Sequence, residues 1–373
     1  MEQFDLERYL KELEYLVNID SGSKSLEGVA QIGEYFSEKF KAAGWNIKKY
    51  DIAPEIAPCI EITNRDTDRF DILLLGHMDT VFPAGTVKER PFTIKDGKAY
   101  GPGVIDMKSG LLSAYYALDG LKDQELSICL LLNSEEEMGS RRVRPWLEKA
   151  AGKSRYVFVL EAARENGDLV LTRKGLGRYT FEFHGVAAHA GVAPQNGISA
   201  ILELGHWIVA LHGLTDFSSG LTLNVGTVVG GTTANVVADY AKAELDFRVA
   251  DMSQVHIIKQ KIDSLLAHAK TSGVKIGVSG GMTRPPLNPT EETQKICRLA
   301  ETIGKELDMT VHWAKTGGGS DGNFSAALGV PTIDGLGPVG GNAHGTHEYM
   351  LIESVEPRIH LLRRMIKEAV QVK

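Results

Sequence analysis

Acidic residues and a histidine follow three short apolar runs of this chain. His77 and Asp79 come directly after the first run, a triplet of glutamates (135–137) follows the second, and Glu161 follows the third. Asp106 lies in a fourth polar segment that contains two glycines. Carboxylates gathered in one place raise one another's pKa, so a cation is needed to neutralise them. A pair of divalent metal ions is the simplest answer, and imidazole with carboxylate is a ligand set that suits zinc.

Two further residues complete this hypothesis. Asp79 stands two residues after His77, where its carboxylate could accept the other ring N–H of that histidine, as is usual for metal-bound histidines. A second metal ion needs another imidazole, and His344 offers one near the end of the chain.

The apolar runs are the elements that must position these groups. Residues 71–76, 126–133 and 156–160 are of strand length and apolar on both faces, which is typical of buried strands in a mostly parallel sheet. Helical spacing recurs around them, and we expect an α/β sandwich whose ligand site lies outside the carboxyl ends of the strands. The predicted helices cover residues 6–16, 26–43, 107–118 and 143–150.

The pattern changes after residue 176. Alternating apolar residues and helix-like stretches follow in the order strand, helix, strand, strand, helix, strand, which is typical of a small ferredoxin-like sandwich. A stiff Arg-Pro-Pro segment ends it near residue 284. We therefore predict a catalytic domain in two parts, 1–176 and 285–373, interrupted by an inserted domain at 177–284.

Composition limits the classes of function. The chain has 373 residues, 41 of them basic and 48 acidic, so that its formal net charge is −7. Without a basic block it is a poor candidate for binding nucleic acid or anionic membranes. Three widely spaced cysteines argue against disulfides and favour a reducing compartment, the cytoplasm. Neither a secretory signal nor an apolar membrane span is expected.

Four segments together resemble the M20 family of metallopeptidases, and the resemblance extends over nearly the whole chain. They are residues 76–80, 101–110, 133–140 and 341–345. The resemblance implies a zinc-dependent exopeptidase-like α/β/α catalytic domain with an inserted ferredoxin-like α+β lid or dimerisation domain. It also implies two divalent metal ions, zinc by preference and cobalt or manganese as alternatives, that share Asp106 as a bridging ligand. The other implied ligands are His77 and Glu161 for one ion and Glu137 and His344 for the second.

Catalytic roles follow from the same resemblance. Glu136 would be the general base, Asp79 would orient His77, and His189 of the inserted domain would stabilise the oxyanion, often from the neighbouring subunit of a homodimer. The peptide bond after Asp106 is a candidate for the strained, cis-like bond of the family. Substrate contacts are implied for Arg248, Asn235, Gly318 and Ser320.

The resemblance also implies a substrate and leaves a ligand open. We expect hydrolysis of an amide bond next to a free carboxylate, in a small peptide or an N-acyl amino acid, closest to the glutamate carboxypeptidase-like members. An N-acyl amino acid deacylase or desuccinylase and a small-peptide aminopeptidase are alternatives within the family. The family commonly has an aspartate one residue before Glu348; His347 stands there, and it remains a second candidate for the ligand assigned to His344.

Three other interpretations are weaker. Residues 318–322 match G-x-S-x-G, with Asp334 and His344 following in the order of α/β-hydrolases, which would make Ser320 a nucleophile. Residues 335–340 match G-x-G-x-x-G, but Pro338 interrupts them and no helix follows. A binding protein that kept the fold and lost turnover is the third.

Overall fold

The structure is a computed structural model, and it describes residues 4–372. The chain divides into two compact units. The first unit comprises Met1–Thr172, Leu287–Thr316 and Ser320–Lys373, and the second comprises Arg173–Pro286 and Gly317–Gly319. The domain boundaries predicted at 177 and 284 lie inside this second unit.

Helices and strands alternate along most of the described chain. The α-helices are α1 (Leu6–Val17), α2 (Leu26–Ala42), α3 (Thr86–Glu89), α4 (Ser109–Leu118), α5 (Arg144–Ala151), α6 (Ala200–His212), α7 (Met252–Ala267), α8 (Glu291–Glu306), α9 (Gly322–Ala327) and α10 (Val355–Glu368). The strands are β1 (Asn46–Tyr50), β2 (Cys59–Thr63), β3 (Phe70–His77), β4 (Thr93–Lys95), β5 (Lys98–Tyr100), β6 (Ile128–Asn133), β7 (Ser154–Val159), β8 (Leu169–Arg173), β9 (Gly175–His184), β10 (Ala188–His189), β11 (Thr222–Gly230), β12 (Val236–Val237), β13 (Tyr240–Val249), β14 (Lys275–Arg284), β15 (Trp313–Thr316), β16 (Thr332–Ile333), β17 (Gly340–Gly341) and β18 (Tyr349–Leu351).

The main sheet of the first unit has the strand order β1-β2-β6-β3-β7-β16. The strands β6, β3, β7 and β16 run parallel to one another, whereas β2 is antiparallel to β6 and β1 is antiparallel to β2 at one edge of the sheet. The three apolar runs of the sequence are therefore adjacent parallel strands, as predicted, and their carboxyl ends lie at one edge of the sheet.

Helices cover both faces of this sheet. In β3, Ile72 and Leu74 belong to the apolar cluster that includes residues of α1, α2, α4, α8 and α10. Leu73 and Leu75 belong to a separate cluster with residues of α5 and α9. Because successive side chains of a strand point to opposite faces, this division shows three layers, α/β/α.

Helix α1 begins at a side-chain cap. Asp5 precedes α1, and its carboxylate accepts the backbone N–H of Arg8 at 2.9 Å. The buried residues of α1 recur with helical spacing at Tyr9, Leu13 and Leu16. This spacing places one apolar stripe of the helix against the core.

The second unit is a ferredoxin-like sandwich, as predicted. Its antiparallel sheet has the order β11-β13-β9-β14, and the chain passes through β9, α6, β11, β13, α7 and β14. Alternate residues of the strands, such as Phe181 and Phe247, pack with residues of α6 and α7, such as Trp207 and Ile258. The other residues of β13 form a half-buried polar face.

Candidate metal centre and active site

The carboxyl ends of the central strands bring the predicted acidic residues of the first unit together. His77 is the last residue of β3 and lies beside Asn133, the last residue of β6. The Nε2 atom of His77 lies 3.0 Å from Oδ1 of Asp106 and 3.6 Å from Oε1 of Glu161. The parallel register of the sheet is therefore what gathers residues from distant parts of the sequence.

Asp106 lies between two imidazoles. While its Oδ1 atom faces His77, its Oδ2 atom lies 3.1 Å from Nε2 of His344. The same nitrogen of His344 is 3.3 Å from Oε2 of Glu137. The two carboxylate oxygens of Asp106 thus lie next to different imidazoles, an arrangement that suits a carboxylate shared by two metal ions.

The loop that carries Asp106 is held by a buried glutamate. The carboxylate of Glu348 accepts the backbone N–H groups of Gly103 at 3.0 Å, Ile105 at 2.9 Å and Asp106 at 3.1 Å. Burial raises the pKa of Glu348 to about 7. This role was not predicted from the sequence, where its one signal is the four-residue spacing between His344 and Glu348.

Two other features of this loop bear on Asp106. The peptide bond between Asp106 and Met107 is cis, as the resemblance implied. Lys108 is buried, and its Nζ atom donates to the carbonyl oxygens of Ile19 at 2.8 Å and Pro102 at 3.3 Å. Burial lowers the pKa of Lys108 to about 7. Its bonds tie the loop to the segment after α1.

Asp79 does more than the sequence predicted. The Nδ1 atom of His77 lies 2.9 Å from the backbone carbonyl oxygen of Asp79, and 3.4 Å from its carboxylate. That carboxylate accepts the N–H of Glu136 at 3.1 Å, the N–H of Glu137 at 3.2 Å and the hydroxyl of Ser23 at 2.7 Å. The predicted carboxylate contact with His77 is thus the longer one, and Asp79 also fixes the backbone of the glutamate triplet.

The three glutamates of the triplet have different surroundings. Glu135 is buried, and its carboxylate accepts the backbone N–H of Arg142 at 2.9 Å and forms an ion pair with the same arginine. Glu137 faces His344, as described above. The carboxylate of Glu136 lies close enough to His77 for its charge to raise the pKa of that imidazole. A run of like charges therefore divides into one structural group and two groups at the metal centre.

Carboxylates beside the two imidazoles raise their pKa values. Burial lowers the pKa of His77, but the surrounding carboxylates outweigh burial and hold that pKa well above its usual value. Hydrogen bonds with Asp106 and Glu137 raise the pKa of His344 to about 11. Burial would raise the pKa of Asp106, but hydrogen bonds from the histidines hold it below its usual range. A metal ion at these nitrogens would take the place of their protons.

The residues present fit a divalent metal ion. His77, Asp106 and Glu137 each offer one ligand atom, and these atoms lie within 4.8 Å of one another. The Oε1 atom of Glu137 is buried, and no hydrogen-bond partner for it is found among the described residues. A buried carboxylate oxygen without a partner costs free energy, which a bound cation would remove.

The structure distinguishes the two candidate histidines near residue 345. His344 reaches Asp106 and Glu137, and its backbone has a positive φ of 65°. His347 lies three residues further along the chain, and no ion pair with these carboxylates is found for it among the described residues. The geometry therefore favours His344 as the second imidazole.

The predicted groups of the second unit form a separate set. His189 pairs with Val236 in the short β10–β12 ladder, and its Nδ1 atom accepts the N–H groups of Gly191 and Val192. The carbonyl oxygen of Asn235 accepts the N–H of Ala190 at 2.9 Å. These contacts bring the segments of His189 and Asn235 together, with both side chains exposed.

Arg248 lies on the polar face of β13, and its guanidinium already contacts a carboxylate. Its Nε and Nη2 atoms donate to Asp246 at 2.9 and 3.3 Å, and its Nη1 atom donates to the carbonyl oxygen of Gly317 at 3.4 Å. The neighbouring Gly318 accepts from Arg173 through its carbonyl oxygen at 3.3 Å. The pairing of Arg248 with Asp246 was not predicted from the sequence.

The structure gives Ser320 partners within the protein. Ser320 is fully buried, its hydroxyl donates to Asp334 at 2.5 Å, and its N–H donates to the side chain of Asn323 at 2.9 Å. Neither group is available to a substrate. His344 faces Asp106, so the described contacts do not support Ser320 as the nucleophile of a serine hydrolase.

The G-x-G-x-x-G segment supports the metal centre. The N–H of Gly337 donates to the carbonyl oxygen of Glu161 at 2.9 Å. A Cβ atom at Gly337 would lie 2.6 Å from the carbonyl oxygen of Leu160, so only glycine permits this approach. The glycines of this segment thus allow the loop to pack against the backbone that presents Glu161.

The fold and the site together define a class of protein, a two-domain α/β metallohydrolase with carboxylate and imidazole groups at the carboxyl edge of its sheet. Residues 73–368 match Peptidase family M20/M25/M40. Because this match covers most of the chain, the protein belongs to the M20 peptidase family and is a metallopeptidase.

Relatives of known activity cover almost the entire chain. Carboxypeptidase G2 of Pseudomonas sp. (strain RS-16) is 29% identical over 370 residues, which cover 96% of this chain and 88% of that protein. Succinyl-diaminopimelate desuccinylase of Burkholderia multivorans is 28% identical, with 90% of this chain and 93% of that protein covered. The crystal structure of aminopeptidase PepT from Bacillus cereus has a TM-score of 0.82 and 26% identity, with 98% and 99% of the two chains covered.

A helix that crosses a membrane must be long and apolar. Within residues 4–372, none is both long and apolar enough to cross a membrane.

Proposed function

We propose that this protein is a dinuclear zinc hydrolase that cleaves an amide bond next to a free carboxylate, in a small peptide or an N-acyl amino acid. The observation that carries the proposal is the position of Asp106, whose two carboxylate oxygens face His77 and His344 at 3.0 and 3.1 Å. A single metal ion would not require both oxygens of one carboxylate to be presented to separate imidazoles.

The ligands divide into two sets around Asp106. His77 and Glu161 would hold one ion with it, and Glu137 and His344 would hold the other. Divalent ions in such sites polarise a carbonyl group and lower the pKa of water. Zinc suits these donors, and cobalt or manganese would also be accepted.

The chain's own residues then move the protons. Glu136 accepts a proton from the attacking water, whose oxygen bonds to the carbonyl carbon of the amide. When the carbon–nitrogen bond breaks, Glu136 passes this proton to the leaving amine, so the products are a carboxylic acid and an amine. His189 would donate a hydrogen bond to the oxyanion, in its own subunit or in the neighbouring one.

Recognition of the free carboxylate is assigned to the second unit. Arg248 could grip a carboxylate through its remaining N–H groups, with Asn235 and the backbone of Gly318 as further contacts. The relative carboxypeptidase G2 supports cleavage at a free C-terminal residue. The structural likeness to aminopeptidase PepT supports a second candidate, a small-peptide aminopeptidase, and the desuccinylases support a deacylase.

One assay series tests the proposal. The purified protein is treated with a strong chelator, reconstituted with zinc or cobalt, and assayed on dipeptides, tripeptides, amidated peptides and N-acyl amino acids. We expect activity to disappear on chelation and to return with about two metal ions per chain, on substrates with a free carboxylate. Cleavage of amidated peptides at equal rates would contradict carboxylate recognition, and a metal-replete protein inert on every substrate would favour a non-catalytic binding protein.

We also propose a homodimer formed through the second unit. Its edge strand β11 exposes Val228 (51%) and Val229 (59%), and α6 exposes Leu202 (55%) and Val209 (76%). An open strand edge beside apolar side chains is suited to pairing with a second copy. Sedimentation of Val229→Asp and Val209→Asp variants tests this proposal, since both should shift the protein to the monomer.

The cysteines bear on the compartment. Cys59, Cys129 and Cys297 are free and buried. This state supports the proposal of a reducing compartment such as the cytoplasm.

A further inference from the structure

The backbone of the glutamate triplet is held by two buried side chains. Asn133, the last residue of β6, accepts the N–H of Glu135 through its amide oxygen at 2.8 Å. Asp79 accepts the next two N–H groups, those of Glu136 and Glu137. Three successive N–H groups therefore donate to two side chains, which fix the backbone that carries the proposed general base.

The turn that carries the triplet closes at Ser140. The N–H of Gly139 donates to the carbonyl oxygen of Glu136 at 2.8 Å, and the N–H of Ser140 donates to that of Glu135 at 2.9 Å. Gly139 and Ser140 have positive φ angles of 91° and 53°. For a residue with a Cβ atom, such as Ser140, a conformation of this kind persists only where surrounding contacts hold it.

Asp321 provides those contacts from a distant segment of the sequence. Its Oδ1 atom accepts the hydroxyl of Ser140 at 2.6 Å, and its Oδ2 atom accepts the side-chain N–H₂ group of Asn133 at 2.6 Å. The same N–H₂ group also donates to the hydroxyl oxygen of Ser140 at 2.9 Å. The three side chains thus form a closed ring of hydrogen bonds, and all three are buried.

The chemistry of a carboxylate fixes the direction of these bonds. Because an ionised carboxylate only accepts hydrogen bonds, Asn133 has to turn its N–H₂ group toward Asp321. This orientation leaves the amide oxygen of Asn133 for the N–H of Glu135. The opposite orientation would place an N–H₂ group against that N–H. Asp321 therefore determines which end of the Asn133 amide meets the triplet.

The place of Asp321 in its own helix supports this role. Asp321 precedes α9, where an aspartate commonly accepts an N–H group of the first helical turn. Among the described residues, its side chain forms no such bond with α9. Its two oxygens face Ser140 and Asn133 instead. Capping of the helix therefore does not account for an aspartate at this position, whereas support of the turn does.

We infer that Asp321 is a positioning residue for the general base of the reaction. Through Asn133 and Ser140 it holds the turn of the triplet, and with it the place of the Glu136 carboxylate. The inference rests on the proposed function, which makes Glu136 the group that transfers the proton. Because Asp321 acts through this turn, its loss should affect the proton transfer far more than the binding of the substrate.

The Asp321→Asn variant tests the inference. An amide of the same size cannot accept from both Ser140 and Asn133, so the turn should shift. Since a displacement of about 1 Å can lower a rate by about 100-fold, kcat should fall by about 10–100-fold. KM should stay nearly unchanged, because Glu136 acts in the transition state. Assays at saturating zinc, with the metal content measured for each variant, keep the occupancy of the centre equal.

A double-mutant cycle with Glu136→Gln separates positioning from a general structural effect. If Asp321 acts through Glu136, adding Asp321→Asn to Glu136→Gln should change kcat by less than about twofold, because the group that it positions is already absent. A further 10–100-fold loss of about the same size as in the single variant would show that Asp321 acts elsewhere, for example through Glu137 and the metal ions. That result would overturn the inference.

A second variant and a matched control complete the design. If Asp321→Asn does not fold, Ser140→Ala removes one of the two partners of Asp321 and should lower kcat by about fivefold, again without effect in the Glu136→Gln background. Asp71→Asn removes a carboxylate that also accepts a serine hydroxyl, that of Ser127 at 2.9 Å. This control should leave kcat unchanged. An equal fall of kcat in Asp71→Asn and Asp321→Asn would overturn the inference.

Hydrogen exchange provides a measurement that does not depend on activity. In the zinc-free Asp321→Asn protein, the amides of residues 134–140 should exchange faster than in the wild type. Unchanged exchange there would mean that Asp321 does not hold the turn, and the inference would be wrong while the proposed function stands. A zinc-loaded wild type that cleaves no substrate would instead contradict the proposed function, and the inference with it.

Discussion

The candidate groups of the two units are fixed in different ways. His77 and Asp79 are 2% and 0% exposed, and their partners come from segments far away in the sequence, such as Ser23 and Asp106. Arg248 keeps 34% of its side chain exposed and pairs with Asp246, two residues away on the same strand. The first set is a preformed centre that suits chemistry, whereas the second has the exposed side chains that recognition of a substrate requires.

This comparison predicts that the first set affects turnover and metal binding, while the second affects substrate binding. The largest effect is expected for Glu136→Gln. Because glutamine cannot accept the proton of the attacking water, kcat should fall by about 10²–10⁴-fold. Metal content, measured by elemental analysis, should stay at the wild-type level. Near-normal kcat in this variant would remove Glu136 as the general base.

The neighbouring glutamate provides the control. Glu135→Gln carries the same chemical change one residue away, but it removes the ion pair between the buried carboxylate of Glu135 and the partly exposed Arg142. We expect its thermal midpoint to fall more clearly than its kcat. Equal losses of kcat in both variants would mean that the triplet acts through its structure alone.

The sequence was sufficient to predict which strand ends meet. Apolar runs on both faces indicate buried parallel strands, and these place His77 and Glu161 at one edge of the sheet. Asp106 and His344 lie outside those strands; their residue types made them candidate ligands, and the resemblance implied which metal ion each would bind. The bonds of Glu348 could not be predicted, because they join residues 242 to 245 positions apart through backbone N–H groups. Such contacts leave no periodic pattern in the sequence.

A smaller effect is expected for Glu348→Gln. The carboxylate of Glu348 accepts three N–H groups of the loop that presents Asp106, and an amide of the same size would direct an N–H₂ group toward some of these donors. The loop should shift and weaken metal binding by about 10–100-fold. Isothermal titration of the metal-free protein with zinc measures this change directly.

Asp71→Asn is the matched control for this variant. Asp71 lies near the other end of β3, and its carboxylate accepts the N–H and hydroxyl of Ser127 at 2.8 and 2.9 Å. The Asp71→Asn variant should have a lower thermal midpoint of unfolding and an unchanged zinc affinity. If both variants weaken zinc binding equally, general destabilisation would explain the effect, and Glu348 would have no special part in positioning Asp106.

The smallest effect is expected in the second unit. Arg248→Lys keeps the charge but loses the planar fork that can hold a carboxylate and Asp246 at once. KM for a substrate with a free carboxylate should rise by about tenfold, with kcat and zinc affinity nearly unchanged. An amidated analogue, which lacks the carboxylate, should show no such rise. The Asp246→Asn variant separates two possible roles of Asp246. If Asp246 orients the guanidinium of Arg248, this variant should raise KM as well. If its carboxylate instead competes with the substrate for Arg248, the variant should lower KM.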